Sequence, residues 1–229
     1  MSVEIAHQNL EKKRVMIVDN NLHFKKFYNS IYWGYDFAEE VIGGLIYGNK
    51  LNTARQQRSK LFNLLPHTSI LSVGCGTGCD FEYFPTGILS TMHIVGIDIS
   101  EGMLKQCQKK FRKWNINIDL IIGMAEELPF DDNTFDIVFS FGGINFFNSP
   151  FRAVSELIRV AKHKTTVLFG DETEFFFKNS YQKLPFLHWF YRDKNINLNP
   201  LSWIPSTAIN PIYHTFWDNK MYVVSFIKF

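Results

Sequence analysis

The stretch Ile70-Leu-Ser-Val-Gly-Cys-Gly-Thr-Gly78 constrains this chain more than any other, because a buried strand runs in it straight into three glycines at alternate positions. Ile70 to Val73 are apolar or small, as a central parallel strand covered on both faces requires. Gly74, Gly76 and Gly78 let the backbone turn sharply and approach a ligand with no Cβ in the way. The segment Cys79 to Phe84 is expected to begin a helix whose unpaired N–H groups point back at that ligand. Such a loop builds a nucleotide-type cofactor site, although glycine turns after strands also serve purely structural ends.

A second apolar strand, His93-Ile-Val-Gly-Ile-Asp98, ends in an acid about twenty residues beyond Gly78. A carboxylate there stands where the second strand of a Rossmann-like unit accepts both ribose hydroxyls. The structural alternative for Asp98 is a strand-end turn or helix-cap acid. Ser100 supplies the cap for a helix over Glu101 to Trp114, which leaves Asp98 free for a ligand.

After a third strand come Gly123-Met-Ala-Glu-Glu-Leu-Pro-Phe130 and Asp132-Asn-Thr-Phe-Asp-Ile-Val-Phe139. This block resembles the class I S-adenosylmethionine-dependent methyltransferases, and is nearest in look to the branch containing the ubiquinone and menaquinone C-methyltransferases. Members share G-x-A-E-x-L-P-F followed by S/T-F-D-x-V, with Thr134 here in the S/T position. NAD-binding Rossmann enzymes share the glycines and the acid but not the block.

The resemblance implies an α/β, Rossmann-like fold: a seven-stranded, mostly parallel sheet with one antiparallel strand and helices on both faces. It implies S-adenosylmethionine as cofactor and methyl transfer by in-line displacement to a small, aromatic or lipid-like acceptor. Gly74 and Gly76, with Cys75 and Gly78 in the same loop, would approach the methionine part of the cofactor, and Asp98 its ribose. Ile99 and Met103 would cover one adenine face, with Met124, Ala125 and Glu126 at the adenine edge. Phe141 and Gly142, at the end of the fourth strand, would lie near the sulfonium, where an aromatic face favours a cation.

Two departures stand out. Relatives carry an acid two residues before the first glycine, where this chain has Ser72. Their paired histidines after the fourth strand are Asn145 and Phe146 here, and their Lys-Pro-Gly-Gly turn before the fifth strand is Lys162-His163-Lys164. These departures keep a second reading open, a module that binds S-adenosylmethionine without transferring methyl, or an enzyme that uses the cofactor to assist other chemistry.

With 229 residues and 46% hydrophobic content, the chain suits one methyltransferase domain over 1–229. A net charge of +2 argues against a dedicated nucleic-acid surface. Cys75, Cys79 and Cys107 form no disulfide-like or metal-like spacing, so no metal is expected and a reducing cytosol is the simplest setting. No leader pattern and no run of about 18 apolar residues mark the chain, and the expected location is cytoplasmic. Nothing in the sequence sets the oligomeric state.

Within the domain, residues 1–65 read as a helical lid, 66–171 as the cofactor core, 172–207 as an aromatic insertion and 208–229 as a closing hairpin. Aromatic and aliphatic residues between Phe24 and Leu45 fall at mostly three- and four-residue steps, with Tyr28 and Tyr35 as candidate acceptor contacts. Leu51 to Leu65 reads as a surface helix whose Arg55, Arg58 and Lys60 form a solvated face, ended by Pro66. The insertion holds Phe175 and Trp189, candidates with Asn145 and Phe146 for an apolar acceptor pocket. A satellite core or a peripheral membrane contact are its other two readings. Candidate general bases are Asp171 and His214, with Glu172 and His188 behind them.

Overall fold

The computed structural model describes residues 19–34, 50–181 and 199–229. Seven strands form one sheet in the order β3-β2-β1-β4-β5-β7-β6. The strands are β1 Ser69–Val73, β2 His93–Asp98, β3 Asp119–Ile122, β4 Ile137–Phe141, β5 Thr166–Glu172, β6 Ala208–Phe216 and β7 Met221–Lys228. β1 to β5 pair in parallel, and β7 runs antiparallel between β5 and β6. The inner antiparallel strand expected from the closing hairpin is therefore present. Trp217, Asp218 and Asn219 all take positive φ to make its turn.

The alternation of side chains along these strands builds a core on each face. Leu71, Val73, Val95, Ile97 and Val138 point one way, against Ala153, Val154 and Leu157 of the helix Pro150–Val160. Ile70, Ile94, Ile137, Phe139 and Phe141 point the other way, against Cys107 and Phe111 of the helix Glu101–Trp114. Fully burying each such side chain contributes about 1.5–3 kcal/mol, so a charge placed at any of them would unseat a helix. The Glu101–Trp114 helix starts as expected: the Ser100 side chain accepts from the Met103 N–H at 3.2 Å. Asn115 ends it in the left-handed region.

Several boundaries differ from the sequence reading, each for a physical reason. The helix expected to run to Leu65 is Lys50–Ser59. Beyond it the chain drops so that the Phe62 ring meets Phe84, Phe139 and Phe141 edge-on at 4.8–5.8 Å. Arg58 is not on a solvated face: it is 5% exposed, paired with Asp80, with its guanidinium 4.4 Å from the Phe141 ring centre. β6 begins before Pro211, because the register shift between Ile209 and Ile212 lets a residue without an N–H sit on the outer strand.

In the described part of the aromatic insertion, Phe176 packs with Ala54, Trp217 and Met221, and Trp203 lies 6.1 Å from Phe169. The Phe176 ring belongs to a satellite cluster, and Trp203 packs on the main core. No helix among the described residues is long and apolar enough to cross a membrane.

Candidate functional site

Strand order reverses about β1, whose neighbours are β2 and β4, and a pocket opens beyond the carboxyl ends of these strands. Val73, Gly74 and Gly76 line it from β1 and its loop, and Ile97, Asp98, Ile99 and Met103 from β2 and the following helix. Gly123 to Glu126 close one side. Gly142, Gly143, Phe146 and Phe147 close another, and Tyr28 reaches in from the helix Asp19–Ile31.

The loop is drawn tight by its own backbone. The N–H groups of Gly74 and Cys75 both donate to the Ile97 carbonyl, at 2.8 and 3.1 Å, and Gly78 N–H donates to Cys75 at 2.9 Å. Gly76 has φ +53°, and a Cβ there would meet nothing within 4 Å, so its bare backbone faces open space. Gly78 is glycine for another reason: a Cβ would stand 2.8 Å from the Cys107 sulfur.

Asp98 is central to the arrangement. Its Oδ2 accepts from Gly76 N–H at 2.8 Å and its Oδ1 from Ser100 N–H at 2.8 Å. The expectation that the Ser100 cap leaves this acid uncommitted is thus corrected. The carboxylate has about four acceptor sites, and with the backbone N–H groups of Gly76, Ser100 and Ile99 bearing on it, acceptor capacity is left for a ligand hydroxyl. Burial raises its pKa above the ordinary carboxylate value, against the lowering effect of the backbone N–H bonds. The second acid, Glu126, has Oε1 accepting from Asn148 N–H at 2.8 Å and Ser149 N–H at 3.4 Å. It ties one side of the pocket to another.

The candidate bases lie elsewhere. Asp171 is fully buried, with Oδ2 accepting from Asn145 N–H at 3.0 Å and Oδ1 from Glu172 N–H at 2.9 Å. Burial first, then the neighbouring Glu172, pushes its pKa well up. His214 lies on β6, the outermost strand, its Nε2 2.9 Å from Ser225 Oγ. Neither lines the pocket.

Other expectations are corrected in the same way. The Phe141 ring faces the far side of the sheet, and the cation on it is Arg58. Cys75, whose sulfur lies near Gly96 and Cys107, is not among the lining residues; the Cys107 thiol, ahead of burial, raises its pKa. Asn145 spends its amide on Glu172 and Tyr222, and Phe175 is 57% exposed outside the pocket. Tyr35, His188 and Trp189 lie outside the described residues.

The pocket also contains residues not singled out from sequence: Val73, Ile97, Gly123, Gly143 and Phe147. The Phe147 ring passes 3.5 Å from where a Cβ on Gly74 would stand, and nothing in the sequence separates it from its neighbour Phe146. Val73 and Ile97 were legible as strand residues next to the loop. Among the described residues no three His, Cys, Asp or Glu cluster to hold a metal ion.

Comparison with known proteins gives consistent results. Residues 71–169 match the family described as a methyltransferase domain. The demethylmenaquinone methyltransferase of Listeria welshimeri is 35% identical over 109 residues, 47% of this chain and 46% of that protein. The one from Shouchella clausii is 32% identical over 136 residues, 59% of this chain and 56% of that protein. The chain thus spans about half the length of these relatives. Among solved structures, a SAM-dependent methyltransferase from Aquifex aeolicus has a TM-score of 0.54 at 18% identity, covering 76% of this chain and 89% of that one. One from Thermotoga maritima has a TM-score of 0.57 at 18% identity, covering 86% and 98%. At such identity these two structures show a shared fold.

Proposed function

We propose that this chain, whose residues 71–169 match a methyltransferase domain, is a class I S-adenosylmethionine-dependent methyltransferase that transfers a methyl group to a small apolar acceptor of the aromatic or lipid-like kind. The residues present fit the cofactor that the family and fold imply. Gly76 leaves room where a Cβ would intrude, Asp98 keeps acceptor sites for hydroxyls, and Ile99 and Met103 offer an apolar wall to a purine. The single observation that carries the reading is the Gly76 N–H to Asp98 Oδ2 bond, which fixes glycine loop and acid side by side in one pocket.

When bound, S-adenosylmethionine supplies an electrophilic methyl on a sulfonium. The protein's task is then to hold a nucleophile in line and keep water out, which can be worth an effective molarity of ~10⁵–10⁸ M. In this reading Asp98 accepts from the ribose hydroxyls, and Gly74 and Gly76 let the backbone close on the methionine part. Phe146, Phe147 and Tyr28 exclude water from the reacting end.

The acceptor class rests on the lining. Its two acids, Asp98 and Glu126, are already held by backbone N–H groups, and the other lining side chains are apolar apart from the Tyr28 hydroxyl. Asp171 and His214 take no part as bases. The relatives named for demethylmenaquinone favour a quinone-related acceptor within that class.

The test is incubation with methyl-tritiated S-adenosylmethionine and separate acceptors: a demethylated quinol, a simple phenol, a fatty acid and a basic peptide. Label in the quinol or phenol supports the proposal. Label only in the peptide overturns the acceptor class, and cofactor binding with no transfer overturns the enzyme in favour of a binding module.

A further inference from the structure

We infer that Asn29 is a positioning residue for the cofactor pocket: it latches the Asp19–Ile31 helix onto the first turn of the Glu101–Trp114 helix and thereby keeps Tyr28 at the pocket. The inference rests on the proposed reading of that pocket as an S-adenosylmethionine site. Its basis is a hydrogen-bond arrangement that no local feature of either helix requires.

The first turn of a helix leaves four N–H groups without intrahelical partners. Here the Ser100 hydroxyl takes Met103 N–H and the Ser100 carbonyl takes Leu104 N–H. Gly102 N–H finds its acceptor on another helix: Asn29 Oδ1, at 3.0 Å. The same oxygen accepts from Ser100 Oγ at 2.7 Å. Because a backbone N–H can only donate, this bond fixes which end of the Asn29 amide points at the turn.

The latch and the pocket acid share a residue. Ser100 donates its backbone N–H to Asp98 Oδ1 and its hydroxyl to Asn29. Met103, one position after Gly102, lines the pocket.

A second contact shapes the same joint. A Cβ on Gly102 would stand 2.6 and 2.7 Å from two Tyr32 ring atoms, so the glycine is a notch into which the ring fits. Tyr28 and Asn29 lie in the last turn of the helix Asp19–Ile31, and Tyr32 follows in the turn just beyond its end, so the notch holds the chain one residue past the helix that carries Tyr28. Notch and latch therefore set one docking position for the helix that carries Tyr28.

The experiment measures S-adenosylmethionine affinity, dissociation rate and melting temperature for the parent and for Asn29→Ala, Asn29→Asp and Gly102→Ala. Asn29→Ala should weaken binding about tenfold, chiefly through faster dissociation, as loss of a net hydrogen bond or two would give. Asn29→Asp keeps an oxygen for both donors at a helix N-terminus that favours negative charge, and should stay within about threefold of the parent. Gly102→Ala raises helix propensity yet pushes Tyr32 out of its notch. It should lose affinity to a similar degree with no fall in melting temperature.

In turnover assays the losses should appear as a raised KM for the cofactor that Asn29→Asp does not share. A parent that binds while Asn29→Ala and Gly102→Ala bind equally well overturns the latch alone. Loss that Asn29→Asp fails to rescue, or that only accompanies a lowered melting temperature, also overturns it. A parent that binds no S-adenosylmethionine overturns latch and pocket reading together.

Discussion

The hydroxyl of Tyr222 on β7 donates to Oδ1 of Asn145 in the turn after β4, at 2.8 Å. Asn145 in turn donates its side-chain N–H to the Glu172 carbonyl at 2.8 Å and its backbone N–H to Asp171. The turn Ile144–Phe146 is thereby strapped to β5 and β7, and Phe146 is held at the pocket wall. Asp171 serves the strap.

Asp171→Asn should therefore cost kcat less than about tenfold, where loss of a general base costs on the order of 10²- to 10⁴-fold. The pH dependence of stability gives an independent check. The folded form holds the Asp171 proton more tightly than the unfolded chain does, so this residue's contribution is fully present below the ordinary carboxylate pKa and is lost as pH rises through the raised value. Urea unfolding across a pH series should show a flatter decline above about pH 4 for Asp171→Asn than for the parent. Asp98, raised in the same direction, should keep some slope in both.

Arg58 and Asp80 pair with side chains only 6% and 18% exposed. Removing one partner of a buried pair strands the other, at about 3–5 kcal/mol. Arg58→Ala should lose that much in urea unfolding, and the double change Arg58→Ala with Asp80→Ala should recover a large part of it. Losses that simply add would mean that the two charges are not coupled.

Much of this was legible because local chemistry and tertiary packing agree. β2 ends at Asp98, and the next helix spans Glu101–Trp114 behind its Ser100 cap, both as the residues indicate. What stayed illegible is direction. A strand covered on both faces is apolar at every position, so the sequence could not say that Phe141 points away from the site while Gly142 lines it. Arg58 reads as a surface cation until Asp80 and the Phe141 ring come to cover it. Asp171 has the residue type and strand-end position of a base, and only the partners of Asn145 reveal the strap.

At Gly76 a methyl group would enter the pocket with no protein atom to stop it. Gly76→Ala also forces a side chain into left-handed backbone, at roughly 1–2 kcal/mol. The variant should melt lower than the parent, keep its far-ultraviolet circular dichroism, and bind S-adenosylmethionine at least about tenfold more weakly. Unchanged affinity would move the cofactor away from this loop.

The central claim is that Asp98 holds the cofactor's ribose, and calorimetric titration of S-adenosylmethionine into the parent, Asp98→Ala and Asp98→Asn tests it most directly. Two charge-assisted hydrogen bonds at ~1.5–3 kcal/mol each, discounted for non-additivity, predict a loss of about 2–4 kcal/mol for Asp98→Ala, or roughly 10²- to 10³-fold. Asp98→Asn should lose less, since its amide oxygen still accepts. Both variants should also melt lower, because Gly76 and Ser100 N–H lose an acceptor, so the titration belongs at a temperature where all three are folded. Affinity for Asp98→Ala within about twofold of a parent that binds would contradict the assignment of this acid to the ribose.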